Sequence, residues 1–319
     1  MANYLVTGGC GFIGSHLVDS LISEGHTVRV IDDLSSGRKA NIQQGCELVI
    51  GDVTDTEMVL QCMAGMDGCY HLASVASIQQ SIDNWLETHN INLTGAINVF
   101  NAARQNKIPV VYASSSAVYG DNADIPLKES AEYRPLTAIG ADNLATELHA
   151  RVATLVHGVP TVGMRFFNVY GPRQNPLSPY FGVVASFFER LSAGKTMTIY
   201  GDGEQTRDFV YIDDAVNALK CAMTNINAIP MVFNVCTGEA ISINKLALMM
   251  QSLMGKAVAV ENKKSRKGDI RVSIGNPERS KKILNFSPQI TVMQGLRKLM
   301  EFETDNGKVK SRATMALVK

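Results

Sequence analysis

Near its N-terminus the chain turns a strand into a helix through three evenly spaced glycines, and no other feature constrains its fold so tightly. The apolar run Tyr4-Leu5-Val6-Thr7 leads directly into Gly8-Gly9-Cys10-Gly11-Phe12-Ile13-Gly14, a G-x-x-G-x-x-G spacing at the start of a helix-like stretch. A second apolar run, Thr27-Val28-Arg29-Val30-Ile31, ends on Asp32, eighteen residues past Gly14. Each part has a physical use. Glycines permit a tight turn and let backbone N–H groups approach a pyrophosphate. The helix start adds its positive dipole end, and the acid accepts hydrogen bonds from adenosine ribose hydroxyls. A glycine repeat alone is weak evidence. With strand, helix, second strand and acid in register, the unit points to a bound dinucleotide rather than to a merely structural turn.

The rest of the first half repeats the alternation. Apolar runs at 4–7, 27–31, 47–50, 68–72, 110–113 and 161–166 read as buried parallel strands, with helix-length segments at 11–24, 55–63, 85–106 and 138–157. The expected fold is α/β, a Rossmann-type doubly wound parallel sheet with ligands beyond the carboxyl ends of its strands. After Asn168-Val169-Tyr170-Gly171-Pro172 the alternation breaks, and prolines at 172, 176 and 179 lead into a helix-like stretch at 182–193. This divides the chain into a dinucleotide-binding domain over 1–171, with 232–235 returning to its sheet, and a smaller α/β domain over 172–306. Residues 307–319 lack an apolar pattern and read as a loose tail.

Composition narrows the function. The chain has 319 residues, 45% apolar and 19% charged, with zero net charge. Nothing steers it toward nucleic acid or an anionic membrane. Six scattered cysteines show no C-x-x-C or His-paired spacing, so no metal is expected and reduced cytosolic thiols fit, although the even count leaves disulfides open. No leader-like segment or membrane-length apolar run is present, so the expectation is a cytoplasmic protein. No Gly-Lys-Ser/Thr follows the glycines and there is no G-x-S-x-G, which argues against P-loop and serine-hydrolase chemistry.

Further motifs follow in a fixed order: Gly51-Asp52-Val53, His71-Leu72-Ala73-Ser74, Asn92-Leu93-Thr94-Gly95, Ala113-Ser114-Ser115-Ser116-Ala117-Val118-Tyr119-Gly120, Arg165-Phe166-Phe167-Asn168-Val169-Tyr170-Gly171-Pro172, Tyr200-Gly201-Asp202-Gly203, Arg207-Asp208-Phe209 and Arg266-Lys267-Gly268-Asp269. Together they resemble the extended short-chain dehydrogenase/reductases, in the NAD-dependent nucleotide-sugar epimerase/dehydratase branch, with UDP-hexose and UDP-N-acetylhexosamine 4-epimerases nearest. The resemblance runs from Tyr4 to about Glu301, and no single motif separates epimerase from dehydratase or decarboxylase.

By position, the resemblance implies cofactor contacts at Gly8, Gly11, Phe12, Ile13, Gly14, Asp32, Asp33, Ser36, Gly37, Asp52, Val53, Leu72, Ala73, Ser74, Asn92 and Phe167. Asp32 would repel a 2′-phosphate, which favours NAD over NADP. Arg38 and Lys39 stand nearby either as a solvated charge pair or as a phosphate clamp. Substrate contacts are implied at Ser81, Asn168, Tyr200, Arg207, Arg266, Asp269 and Ser273. Arginine suits phosphate because its planar fork binds oxygens bidentately. The surrounding basic run, Lys263 to Arg271, otherwise reads as a solvated face. A small residue at Ser273 leaves room for an N-acetyl group and so points to UDP-GlcNAc/UDP-GalNAc, unless it is an ordinary strand serine. The resemblance also implies a homodimer, pairing through the helices at 85–106 and 138–157, where Leu93, Ile97, Phe100, Leu144, Leu148, Val152 and Leu155 form apolar stripes that could equally serve the monomer core.

The departure comes at the catalytic pair. Family members carry a tyrosine base and, four residues later, a lysine that holds the nicotinamide ribose and lowers the tyrosine's pKa. Here Ile139 occupies the tyrosine position and Asn143 the lysine position. Isoleucine cannot transfer a proton, and asparagine carries no charge. Ser115 stands at the helper-serine position with Ser116 beside it, but a bare serine is a poor base near neutral pH. Three readings compete: an inactivated epimerase, a relative that binds nucleotide sugar without turnover, or a replacement base. Two changes in one pair with the other motifs intact favour inactivation.

Overall fold

The structure, a computed structural model, describes residues 1–43, 45–174, 182–265 and 269–305. Arg266 and the stretch expected as a tail, 307–319, lie outside the described residues. The first half runs β1 (Asn3–Thr7), α1 (Phe12–Ser23), β2 (Thr27–Asp32), β3 (Glu47–Ile50), α2 (Thr56–Met63), β4 (Gly68–His71), α3 (Ile78–Asp83), α4 (Trp85–His89), α5 (Gly95–Ala103), β5 (Val110–Ser115), α6 (Ala138–Leu155) and β6 (Thr161–Phe166). The second half runs β7 (Asn168–Tyr170), α7 (Val183–Ser192), β8 (Met197–Tyr200), β9 (Thr206–Tyr211), α8 (Ile212–Thr224), β10 (Met231–Val235), β11 (Ala240–Ser242), α9 (Ile243–Met254), β12 (Val260–Lys263), β13 (Val272–Ser273), α10 (Glu278–Leu284) and α11 (Val292–Asp305).

The main sheet is parallel throughout, in the order β3-β2-β1-β4-β5-β6-β10. Its strands are apolar on both sides because both faces are covered. Along β1, Val6 joins the core under α1 and α8, while its neighbour Leu5 joins the core under α2, α5 and α6. Val28 and Val30 take the first side and Ile31 the second, as period-2 alternation requires. The chain moves outward from β1 to β2 and β3, then crosses back to place β4 on the other flank of β1. The switch point therefore lies between β1 and β4. A smaller sheet, with β9 beside β7, β11 and β13, and the pair β8–β12 complete the second half.

The single helix expected over 85–106 is a correction. Helices α4 and α5 are joined by a wider π-helical turn, Asn90–Thr94, and α5 ends at Ala103. The extra residue in that turn points Asn92 inward, where its amide accepts from Val75 N at 2.7 Å and donates to Val75 O at 3.1 Å. The loop after β4 is thereby pinned, a frequent use of such turns near functional sites. Phe100, one of the stripe residues, is buried in the monomer core against Tyr112, whereas Leu148, Val152 and Leu155 are exposed.

Candidate functional site

The glycine turn sits at the switch point. Gly8 has φ +69°, and a Cβ there would lie 2.7 Å from Ala73 N, so only glycine lets the turn touch the backbone after β4. Helix α1 starts with Gly11 as its N-cap, with no side-chain cap and no acid in its first turn. Its N-terminal N–H groups are thus left to an anion, and a pyrophosphate fits them. Phe12 and Ile13 form the first turn of that helix.

Asp32 closes the far side. One carboxylate oxygen accepts from Cys10 N at 2.8 Å and the other from Leu34 N at 2.9 Å, which ties the end of β2 to the glycine turn. Burial pushes its carboxyl above the usual carboxylate range, although these two bonds oppose the shift. An ionised carboxylate has about four acceptor sites, so room remains for ribose hydroxyls. Asp33 caps the next turn by accepting from Ser35 N and Oγ at 3.0 and 2.7 Å, and Ser36 is exposed beside Gly37. Asp52 accepts from Thr54 N at 2.8 Å after β3, with Val53 buried next to it.

At the carboxyl end of β4 the Thr7 hydroxyl gathers three partners. It receives N–H bonds from Leu72 and Ala73, both 3.1 Å, and stands 2.8 Å from His71 Nδ1. Burial pulls the His71 pKa down to about 4. A small cleft opens here, lined by His71, Ala73, Ser74, Asn92, Ala113, Asn143 and Thr146.

Helix α6 carries the remaining pair and brings Asn143 to this cleft. Thr137 caps it by accepting from Gly140 N at 3.1 Å. A Cβ on Gly140 would sit 2.6 Å from Ala117 O, so glycine allows the helix to rest on the 3₁₀ turn Ser116–Tyr119 that follows β5. Ser115 Oγ accepts from Ala117 N at 3.1 Å, and Ser116 is half-buried. Ile139 is buried in the first turn of α6. One turn later, Asn143 Nδ2 donates to Ile139 O at 2.8 Å, turning its donor back into its own helix.

A buried polar network beneath the site was not assigned from sequence. Arg165, on β6, has no exposed surface, and its Nε and Nη2 donate to the two Glu147 oxygens of α6 at 2.8 and 2.6 Å. Ser114 Oγ donates to Glu147 Oε1 at 2.6 Å, and Arg165 Nη1 donates to Tyr119 Oη at 2.7 Å. Tyr119 in turn donates to Asn234 Oδ1 of β10 at 2.6 Å. The available signal was a cation inside an otherwise apolar strand, and an acid four residues past Asn143 on one helix face.

The substrate-side residues gather around β9. Asn168 Nδ2 donates to Asp208 O at 3.0 Å, and the buried Asp208 carboxylate accepts from Thr237 N and Oγ1 and from Gly238 N at 2.8, 2.6 and 2.9 Å. Arg207 pairs with Asp269, and burial lowers the Arg207 pKa against that pairing. Ser273 is buried and lies opposite Arg207 in the parallel register of β13 with β9. Phe167 is buried beside Tyr119, Tyr200 ends β8, and Ser81 is buried in α3. A larger, mostly apolar cavity between α7 and α11, lined by Phe188 and Leu299, shares none of these residues. Among the described residues, no group of three or more His, Cys, Asp or Glu could hold a metal ion, and no helix is long and apolar enough to cross a membrane.

A parallel sheet with a glycine turn at its switch point, an acid ending β2 and a serine-bearing β5 beneath α6 defines a dinucleotide-dependent α/β protein. The chain belongs to the NAD dependent epimerase/dehydratase family, whose profile matches residues 4–236. It is 35% identical over 306 residues to a UDP-glucose 4-epimerase of Mycolicibacterium smegmatis, covering 93% of this chain and 97% of that protein. Its structure resembles that of a Thermotoga maritima UDP-glucose 4-epimerase with UDP-glucose (TM-score 0.92, 33% identity, 95% and 99% of the two chains). It also resembles a UDP-N-acetylglucosamine 4-epimerase of Methanobrevibacter ruminantium in complex with UDP-N-acetylmuramic acid (TM-score 0.91, 32% identity, 96% and 99%). Decarboxylases of UDP-linked uronic acids match 93% of the chain at 28–31% identity. NAD is the cofactor of this family.

Proposed function

We propose that this chain is a UDP-sugar 4-epimerase in architecture, retaining its ligands but disabled at proton transfer. The observation that carries the proposal is the pair on α6: Ile139 buried in the first turn, and Asn143 donating to its carbonyl. Bound NAD supplies a hydride acceptor for C4 of the sugar. Around it, the α1 N-terminus and Asp32 hold the dinucleotide, Ser115 hydrogen-bonds the reacting hydroxyl, and Asn168 and Arg207 hold the diphosphate. Residues 1–171 thus hold the cofactor and lend Ser115 and Asn168 to the nucleotide sugar, and 172–306 supply the rest of the nucleotide-sugar site. No group at the tyrosine position accepts the hydroxyl proton, so a 4-keto sugar does not form at an appreciable rate. The same pair supports a second reading, a protein that binds NAD and UDP-sugar without ever interconverting them. Calorimetry with NAD and UDP-GlcNAc alongside a turnover assay tests the proposal: binding without interconversion is expected.

Asp32→Ala should weaken NAD binding by roughly 1–3 kcal/mol, the scale of lost hydrogen bonds to a charged group. An unchanged affinity would remove Asp32 from the cofactor site. Ser273 is buried and opposite Arg207 in register; as a small side chain it would take less volume beside the sugar than a bulky one, and the proposed ligands are UDP-GlcNAc and UDP-GalNAc. Ser273→Tyr should exclude the N-acetylated sugar selectively through steric clash. Equal affinities for UDP-GlcNAc and UDP-glucose in that variant would show that the residue does not gate the pocket.

The proposed assembly is a homodimer. Leu148, Val152 and Leu155 are 59%, 45% and 58% exposed on one face of α6, and Trp85 and Leu86 are 71% and 73% exposed on α4. Apolar side chains at i, i+4 and i+7 on a solvent face need a covering partner. Sedimentation at micromolar concentration should give a dimer, and Val152→Glu a monomer; a monomeric unmodified chain would overturn this assembly.

A further inference from the structure

The cavity between α7 and α11 takes no part in the proposed function. It encloses about 350 Å³, within the range of small-molecule sites, and shares no residue with the cofactor or nucleotide-sugar positions. Its shape follows from helix period. On α7, Ala185, Phe188 and Ser192 recur at spacings of three and four, so one face of the helix lines it. Leu299 and Glu303, four residues apart on α11, line the opposite side. Phe188, Leu299 and Glu303 are buried, whereas Glu189 and Ala193 are exposed, so the cavity reaches from the interior to the surface.

The charge of the lining is one-sided. Glu189 and Glu303 both line the cavity, and among the described lining residues none is Lys, Arg or His. Cations near these helices are engaged elsewhere. Arg190 Nη1 donates to Thr196 O at 2.8 Å, and Lys298 Nζ donates to Asp213 at 3.0 Å. Lys256 Nζ donates to the Leu191 and Ser192 carbonyls at 3.2 and 3.0 Å, at the end of α7. We propose that this cavity is a binding site for a small apolar ammonium ion. The apolar walls supply burial, and the two acids set a negative potential that acts across several ångströms whatever their rotamers. The same field repels an anion of equal size. The proposal does not depend on where NAD or the nucleotide sugar binds.

Titration calorimetry on the full chain with phenethylammonium, neutral phenethyl alcohol and phenylacetate tests this. Phenethylammonium should bind at about 1 mM or tighter, and affinity should fall in the order cation, alcohol, anion. Glu189→Gln combined with Glu303→Gln should shrink the cation's advantage over the alcohol roughly fivefold and leave the alcohol within about twofold. Ser192→Leu fills the cavity and removes a hydroxyl that is buried without a hydrogen-bond partner, so the fold should be retained. It should weaken the cation and the alcohol by about tenfold or more through steric clash. Should that variant not fold, Ala193→Leu narrows the cavity from an exposed position and decides in its place. Equal affinity for cation and anion, or binding unmoved by filling the cavity, would overturn the proposal. Displacement of the cation by UDP-GlcNAc would overturn it too, by putting the probe in the nucleotide-sugar site. No binding of the cation would also overturn it, and a change of sedimenting mass in Ser192→Leu would then mark the cavity as a contact between copies of the chain.

Discussion

Ile139→Tyr combined with Asn143→Lys is expected to raise UDP-GlcNAc/UDP-GalNAc interconversion by roughly 10²–10⁴-fold over the unmodified chain, the usual worth of a positioned general base. The parts around the pair are in place. Thr137 caps α6, Gly140 seats it on Ala117, and Ser115 lies at the adjoining strand end. The Tyr single variant should be slower than the double. Burial is the main cause that pushes the phenol of Tyr70 above its ordinary range, and a phenol at the buried position 139 would be raised in the same way without a neighbouring cation. The two gains act through one base and should not simply multiply. A silent double variant that still binds both ligands would favour the binding-protein reading. High activity in the unmodified chain would mean that another group is the base.

Arg165→Met is expected to cost the fold about 3–5 kcal/mol, read by urea unfolding, because it strands the Glu147 carboxylate in the core. Burial opposes the charge on Arg165, and the bidentate Glu147 pairing more than offsets it, holding the guanidinium above its usual range. Against total stabilities of about 5–15 kcal/mol, such a loss removes a large fraction. The double change Arg165→Met with Glu147→Met leaves no unpaired charge and should recover much of it. A loss below about 1 kcal/mol in Arg165→Met would show that the pair is not holding α6 to the sheet. The same network joins β5, β6, β10 and the 3₁₀ turn beneath the site, so its loss should also weaken NAD binding.

Much of this architecture was legible in the chain. Buried parallel strands must be apolar on both faces, so 4–7, 27–31 and 161–166 stand out as continuous runs, and the structure places strands there. The glycine spacing declared its turn because Gly8 cannot be replaced where backbone meets backbone. The π-helical turn was not legible. Its residues read as ordinary helix, and only the Asn92 contact with Val75, seventeen residues away in sequence, explains it. Phe100 likewise read as a stripe residue, and its side was decided by packing against Tyr112.

What the sequence by itself determined is the local chemistry: which strand ends in an acid, which turn needs glycine, and that positions 139 and 143 hold no titratable group. These follow from residue identity and short-range period. Only the tertiary structure decided where the remaining charges went. It sank Arg165 against Glu147, turned the Asn143 amide back on its own helix, and set the buried His71 ring against the Thr7 hydroxyl. Those outcomes depend on partners 4 to 64 residues apart, brought together by the sheet order. Hydrogen bonding and desolvation act over a few ångströms of space, and the chain states that distance only once it is folded.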